Sequence, residues 1–378
     1  MEEKQTIDFW LLITTLILAG IGLVIVYSSS MYLSIDRFGY GSFYFKKQTI
    51  HLLIGLVAMM LLTKMNYRGF AKLGTVLLIT GYLILGVLLI QKYIHGFSVH
   101  RWLHIGEITF QPSELMKVII IIFLSSSIDR IGDRIREFKR GFLPLLGTIA
   151  VTFLLIVLEP DLGIAVFTVG IGFYILFIGR AKLLHLIFIT FPVCSALILI
   201  VKSVPYMQRR LEVFFDPTKN YQINQSIISI GSGGFFGVGL GNSTQKFLFL
   251  PEHHTDFVFS ILAEELGFIG TTVIMLLMLF YIARGFRIAK EAPDMFGFLL
   301  ASGLSMMIGL QVFINIGVAV GILPTTGITL PFISYGGSSL LLSFIATGIL
   351  LNISKQGSYE RKLSRIFGSR LHKRSVWV

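Results

Sequence analysis

Six acidic residues lie within or at the edges of long apolar runs: Glu114, Glu159, Asp161, Asp256, Glu264 and Glu265. A charge inside a membrane is costly and is usually kept for function. Lys117 follows Glu114 by three residues, a spacing that puts both on one helix face. Such a pair either lowers the cost of burying two charges or forms the wall of a polar cavity that handles a substrate. Asp256 lies near the end of the stretch LPEHHTDF as the chain enters an apolar run. It is either a functional carboxylate or, like Thr255, a helix N-cap. His253 and His254 beside an acid suggest metal ligation, but adjacent residues rarely reach one ion, and no distant His/Asp spacing supports a zinc site. The glycines from Gly231 to Asn242 (GSGGFFGVGLGN) are spaced somewhat like a dinucleotide fingerprint. With no βαβ unit around them they read instead as backbone that turns, or that approaches a ligand closely. Arg209, Arg210, Lys219 and Lys246 share this segment, offering either contacts to an anion such as phosphate or interfacial snorkelling.

The composition names the solvent in which these groups must be held. The chain has 378 residues, of which 54% are hydrophobic and 14% charged, with a mean hydropathy of +0.80. Soluble domains carry ~25% charged residues, so this is an all-α, polytopic integral membrane protein. A span needs ~20 mostly apolar residues. That ruler gives about ten transmembrane helices, near 9–28, 47–63, 70–91, 112–128, 141–158, 162–179, 183–202, 257–283, 295–320 and 335–353; the second and fourth are short or polar. Residues 295–354 contain no formal charge, and Pro324 and Pro331 divide them into two spans joined by a loop at membrane depth. The N-terminal MEEKQTID lacks a basic region, and no small-residue cleavage site follows the first span, so that span is an anchor that stays. Cys194, the single cysteine, lies in an apolar run, which excludes disulfides and thiolate metal sites.

The net charge of +12 sets the orientation. With both termini cytoplasmic, 21 of the 32 Lys and Arg residues fall on inner segments, ten on outer ones, and Lys117 lies within the fourth span. The organisation is then a transmembrane domain over 1–354, with outer loops 92–111 and 203–256, followed by a basic cytoplasmic tail over 355–378. The tail reads as a solvated, lipid-facing segment rather than a nucleic-acid arm. Glu114, Glu159, Asp161 and Asp256 all come to the outer ends of their helices, with Glu264 and Glu265 two turns deeper. That convergence is the main functional signal in the residues themselves.

Five blocks carry a resemblance: RWLHIGEITFQPSELMK (101–117), EPDLG (159–163), QRRLEVFFDP (208–217), YQINQSIISIGSGGFFGVGLGNSTQKFLFLPEHHTDFVFSILAEELGFIG (221–270) and QVFINIGVAVGILPTTGITLPFISYGGSSLL (311–341). The sequence resembles the SEDS family (shape, elongation, division and sporulation), whose members include FtsW, RodA and SpoVE. GLGNSTQK, EPDLG and EELGFIG look more like FtsW and SpoVE than RodA. One departure is the short stretch between Asp216-Pro217 and Tyr221-Gln222, where relatives often carry several more residues.

The resemblance implies a peptidoglycan glycosyltransferase that polymerises lipid II on the outer face of the bacterial cytoplasmic membrane, at the septum. It implies work with a class B penicillin-binding transpeptidase and other divisome proteins, and no nucleic acid. The family's essential aspartate falls on Asp256, and its Glu, Lys and Asp fall on Glu114, Lys117 and Asp161. Arg101, Arg209, Arg210, Gln245, Lys246, His254, Thr255 and Ser338 complete the substrate-binding set. In such a reaction a carboxylate takes the acceptor hydroxyl proton, typically worth ~10²–10⁴-fold. Undecaprenyl pyrophosphate leaves as a stable anion that needs positive charge, from Arg and Lys or from a divalent cation such as Mg²⁺ or Mn²⁺, and no organic cofactor. Two other classes compete: a flippase for lipid II or another polyprenyl lipid, and a non-catalytic scaffold that activates its transpeptidase.

Overall fold

A computed structural model describes residues 6–95, 101–105, 108–189, 191, 195, 199, 221–247 and 249–367. The architecture is helical: α1 (Phe9–Phe38), α2 (Phe43–Lys64), α3 (Arg68–His95), α4 (Pro112–Ile131), α5 (Leu143–Leu158), α6 (Leu162–Ile178), α7 (Tyr221–Ser232), α8 (Val258–Lys290), α9 (Met295–Ala319) and α10 (Gly337–Phe367). A short antiparallel hairpin, β1 (Leu103–Ile105) with β2 (Ile108–Phe110), precedes α4. Among the described residues, seven helices are long and apolar enough to cross a membrane. α6 is apolar but only 17 residues long, and α4 carries Glu114, Lys117, Asp129 and Arg130. The seventh expected span is described as a helical run over 183–189 and little further; Cys194 lies outside the described residues.

The helices run past the expected spans. α1 has 30 residues, about 45 Å at 1.5 Å per residue, against a hydrocarbon core of about 30 Å. Asp8 starts it by accepting from the Leu11 N–H at 2.9 Å, and Gly39, at φ +79°, ends it. α10 continues as helix through Phe367, so the basic tail begins as an extension of the last span. α4, which hydropathy marks as weak, is the most enclosed helix of the bundle. Met116–Ile122 is buried without interruption, because α3, α6, α9 and α10 all pack on it. An apolar surface on every side suits a central helix.

The start of α1 and the Ser354–Ser358 stretch of α10 meet at one end of the bundle. Asp8 pairs with Arg284 of α8, its backbone N–H donates to Ser354 Oγ at 3.0 Å, and Ser358 donates to the Thr6 carbonyl at 3.2 Å. Asn352 caps the C-terminus of α2 by donating to the carbonyls of Leu62, Thr63 and Met65. The opposite end collects the starts of α4, α6, α8 and α10 and carries the candidate site.

The segment 233–239, within the expected outer loop 203–256, docks into a break in α8. Gly267 interrupts that helix at φ +66°, ψ −170°. The carbonyls of Glu264 and Glu265 accept from the N–H groups of Val238 and Gly239, both at 3.0 Å, and Phe268 and Ile269 donate to Gly234 and Phe235 at 2.9 and 3.2 Å. The break therefore leaves none of these four groups unpaired, as an apolar setting requires. A Cβ on Gly233 would overlap the Ala263 carbonyl, and one on Gly237 the Glu265 carbonyl. The glycines are spaced for this close approach of two backbones.

Candidate active site

A cavity of about 220 Å³ opens at the site end. Its walls come from elements distant in sequence: Arg101 ahead of the hairpin, Asp161 at the α5–α6 corner, Gln222 of α7, Glu252 and Asp256 ahead of α8, and Thr325–Gly327 of the α9–α10 loop. The volume suits a sugar ring or a pyrophosphate, not a whole lipid-linked disaccharide. Gly163 lets the α6 start lie against the Thr326 carbonyl, which any Cβ would strike.

Asp161 is fixed from two sides. One carboxylate oxygen caps α6 by accepting from Ile164 N at 3.2 Å, and the other accepts from Gln111 Nε2 at 2.9 Å. Burial pushes its carboxyl above the usual range, opposed by the Ile164 N–H and the Arg101 charge. Arg101 donates to the Pro160 carbonyl, while its Nε is buried without a hydrogen-bond partner among the described residues. Thr326 Oγ1 is orphaned in the same way. Two unsatisfied polar groups on residues lining one small cavity are what a site awaiting a polar ligand presents.

Glu114 and Lys117 stand behind this cavity and do not line it. Lys117 Nζ lies 2.7 Å from Glu114 Oε1 and 5.0 Å from the Phe167 ring centre, and is 1% exposed. Both charges act on Asp161, so the pair is a buried ion pair that belongs to the electrostatic surroundings of the cavity without forming its wall. Glu159 is buried at the end of α5, outside the lining.

Several other expected site residues make contacts within the framework. Lys246 is buried between Glu265, 3.4 Å away, and the Gly241 carbonyl. Gln245 lies beside it with Oε1 buried and unpartnered among the described residues. Thr255 donates to the Glu252 side chain at 3.0 Å. Ser338 accepts from the Gln111 N–H at 3.0 Å and so holds the residue that holds Asp161. His254 packs between Tyr44 and Tyr335, with ring centres 4.9 and 5.7 Å away. Burial, then the charges of His253 and Arg37, lowers its pKa to about 3. His253 faces the Leu250 carbonyl through Nδ1 at 2.7 Å, and burial lowers its pKa too. Arg209 and Arg210 lie outside the described residues. Among the described residues no three His, Cys, Asp or Glu side chains are grouped to hold a metal ion.

Glu264 and Glu265 have defined roles. Glu264 accepts four hydrogen bonds: from Ser229 and Ser243 hydroxyls at 2.8 and 2.6 Å, and from Thr244 N and Oγ1 at 2.9 and 3.1 Å. Glu265 accepts from Ser28 of α1 at 2.6 Å and pairs with Lys246. The two carboxylates clasp the glycine-rich segment and α1 onto α8. Gln111, Gln222, Glu252, Thr325 and Thr326 escaped the sequence reading. The signal for Gln111 was present, since it opens the QPS turn directly ahead of Glu114.

A broken-helix bundle with a carboxylate-lined cavity at one end defines a polytopic membrane protein built to handle a polar group at its surface. Residues 9–359 match the FTSW_RODA_SPOVE family of cell cycle proteins, and the chain belongs to it. It is 40% identical over 367 residues to stage V sporulation protein E of Bacillus subtilis, covering 94% of this chain and 99% of that one. It is 40% identical over 372 residues to the probable peptidoglycan glycosyltransferase FtsW of Nitrosomonas europaea, covering 95% of each. Among solved structures, a chain of a peptidoglycan synthase complex that coordinates polymerization and crosslinking matches with a TM-score of 0.76 at 26% identity, over 93% of this chain and 98% of that one. The rod shape determining protein RodA of Thermus thermophilus matches at 0.68 and 27%, over 93% and 97%.

Proposed function

We propose that this chain polymerises lipid II, joining its disaccharides into glycan strands as undecaprenyl pyrophosphate departs. The observation that supports this best is the cavity shared by Asp256, Asp161 and Arg101. Asp256 acts as general base: it takes the proton of the acceptor hydroxyl while that oxygen attacks the anomeric carbon and the bond to pyrophosphate breaks. Pyrophosphate leaves as a stable anion and needs no general acid. Arg101 supplies positive charge in the cavity, and Lys117 acts at longer range through Asp161; Arg209 and Arg210, which lie outside the described residues, are the further candidates for contacts to the pyrophosphate. A divalent cation such as Mg²⁺ or Mn²⁺ would neutralise the charge on the departing pyrophosphate.

The polyprenyl tails stay in the bilayer, which accounts for an enzyme with so little polar surface. The site lies on the outer face of the cytoplasmic membrane, since 21 basic residues hold the other side. A class B penicillin-binding transpeptidase is the working partner, with other divisome proteins at the septum. Residues 1–354 form the membrane domain and 355–378 the basic tail.

The test is polymerisation of lipid II by the purified complex, with the transpeptidase blocked and Mg²⁺ present. Asp256→Asn should abolish polymer while the complex persists. Polymer at the wild-type rate sinks the assignment, and a translocation signal indifferent to that substitution would favour a flippase.

A further inference from the structure

Asp256 sits in a turn whose backbone is held from outside. Three successive carbonyls each accept a hydrogen bond from the α9–α10 region. Tyr335 N donates to His254 O at 2.9 Å, Ser334 Oγ to Thr255 O at 2.6 Å, and Asn315 Nδ2 to Asp256 O at 2.9 Å. The same Asn315 nitrogen donates to Ile328 O at 2.8 Å. One amide group thus ties the Asp256 turn to the loop whose Thr325–Gly327 forms the facing wall of the cavity. Asn315 is 1% exposed on an otherwise apolar stretch of α9. Ser334 is held in turn by its neighbours: its hydroxyl accepts from Leu330 N at 2.8 Å, and its carbonyl accepts from Gln48 Nε2 of α2 at 3.1 Å.

We propose that Asn315 and Ser334 are positioning residues that set where the Asp256 carboxylate stands relative to the opposite wall of the cavity. The inference rests on the reading of Asp256 as base. Turn residues 254–256 contain no glycine, so fixing three consecutive carbonyls leaves the Asp256 backbone little freedom and sets the direction of its Cα–Cβ bond, from which its carboxylate rotamers project. Substrate contacts are not required of either residue: Asn315 spends its amide protons on two backbone carbonyls, and Ser334 spends its hydroxyl on a third. A displacement of about 1 Å at a reacting group can cost ~10²-fold in rate. That loss falls on the chemical step, not on the binding of the substrate.

The experiment compares steady-state polymerisation by the transpeptidase complex for wild type, Ser334→Ala, Ser334→Thr, Asn315→Asp and Asp256→Asn. Asn315→Asp keeps the shape but turns a donor that faces two carbonyls into an acceptor. The expected result is a fall in kcat of roughly tenfold for Ser334→Ala and ~10²-fold for Asn315→Asp, with KM for lipid II within about twofold of wild type. Ser334→Thr, which restores the hydroxyl, should recover most of the rate. If Asn315→Asp does not assemble, the two Ser334 variants decide alone. Wild-type kcat in Ser334→Ala, a rise in KM at unchanged kcat, or no recovery in Ser334→Thr overturns the inference. Asp256→Asn separates the two levels. If it polymerises normally, the base assignment fails; if it is inactive while Ser334→Ala is normal, only the positioning role fails.

Discussion

Replacing Glu264 by Leu removes a buried acceptor of four hydrogen bonds and leaves the donors in place. Hydrogen bonds to a charged group are each worth roughly 1.5–3 kcal/mol, and such contributions are not additive. Some of the donors find other partners. Ser229 Oγ already reaches the Ser260 carbonyl at 3.0 Å, and Thr244 is exposed, so water can serve it. Ser243 is buried and keeps only this partner among its described hydrogen bonds. The net loss is then about 2–4 kcal/mol. It falls on the docking of 234–247 into the α8 break rather than on the whole bundle. The Val238 and Gly239 amides bond across that break, so they report its opening directly. At 1.4 kcal/mol per decade, their hydrogen exchange in detergent should quicken by ~30- to 700-fold, while amides of the buried α9 stretch 299–305 keep their protection. Glu264→Gln, which retains one acceptor oxygen, should fall between. Protection at Val238 and Gly239 within threefold of wild type in Glu264→Leu would refute the clasp. Equal loss of protection in α9 would show that the carboxylate supports the bundle, not the break.

Gly267→Ala puts a Cβ into the Gly237 backbone at φ +66°; folded yield in detergent should drop sharply, whereas Gly20→Ala, with open space around it, should be neutral by thermal melting. His254 titrates near 3 in the fold against an ordinary value of 6.5. Protonation therefore favours unfolding: this contribution is intact above pH 6.5 and is lost towards pH 3, at about 1.4 kcal/mol per pH unit. Its share at pH 5 is ~2 kcal/mol, so His254→Phe should melt with a visibly flatter dependence between pH 7 and pH 5. Asn352→Leu leaves three carbonyls at the end of α2 without their cap; a loss of about 2–4 kcal/mol, read as a lower melting temperature with no change in KM for lipid II, is expected.

The spans were legible because hydropathy is a sum over local residues, and ten runs of apolar residues stand out however they pack. The candidate site was legible in part. Asp256 and Asp161 are acids at helix starts, and both line the cavity. Lys246 shows where such reading stops. As a basic residue in an outer segment it looked like an anion contact, yet it is buried against Glu265, nineteen residues on. Which of two partners a lysine takes depends on how the loop folds back, and spacing along the chain does not encode that. Asn315 and Ser334 were missed for a related reason, since backbone carbonyls carry no sequence signal and their donors look like ordinary polar residues.

Composition and hydropathy by themselves determined a helical membrane protein and the approximate number of its spans, because the cost of charge in hydrocarbon constrains every sequence alike; the distribution of basic residues predicts the face on which its acids gather. The motifs further placed it in its family. Only the tertiary structure decided that α4 is the central helix, that α8 is two half-helices sealed by a glycine-rich segment, and that Arg101, Asp161 and Asp256 share one cavity. Those outcomes depend on contacts between residues far apart in the chain, such as Gln111 and Ser338, 227 positions apart, where close backbone approach and satisfaction of buried hydrogen bonds select one arrangement among many that the apolar pattern would allow.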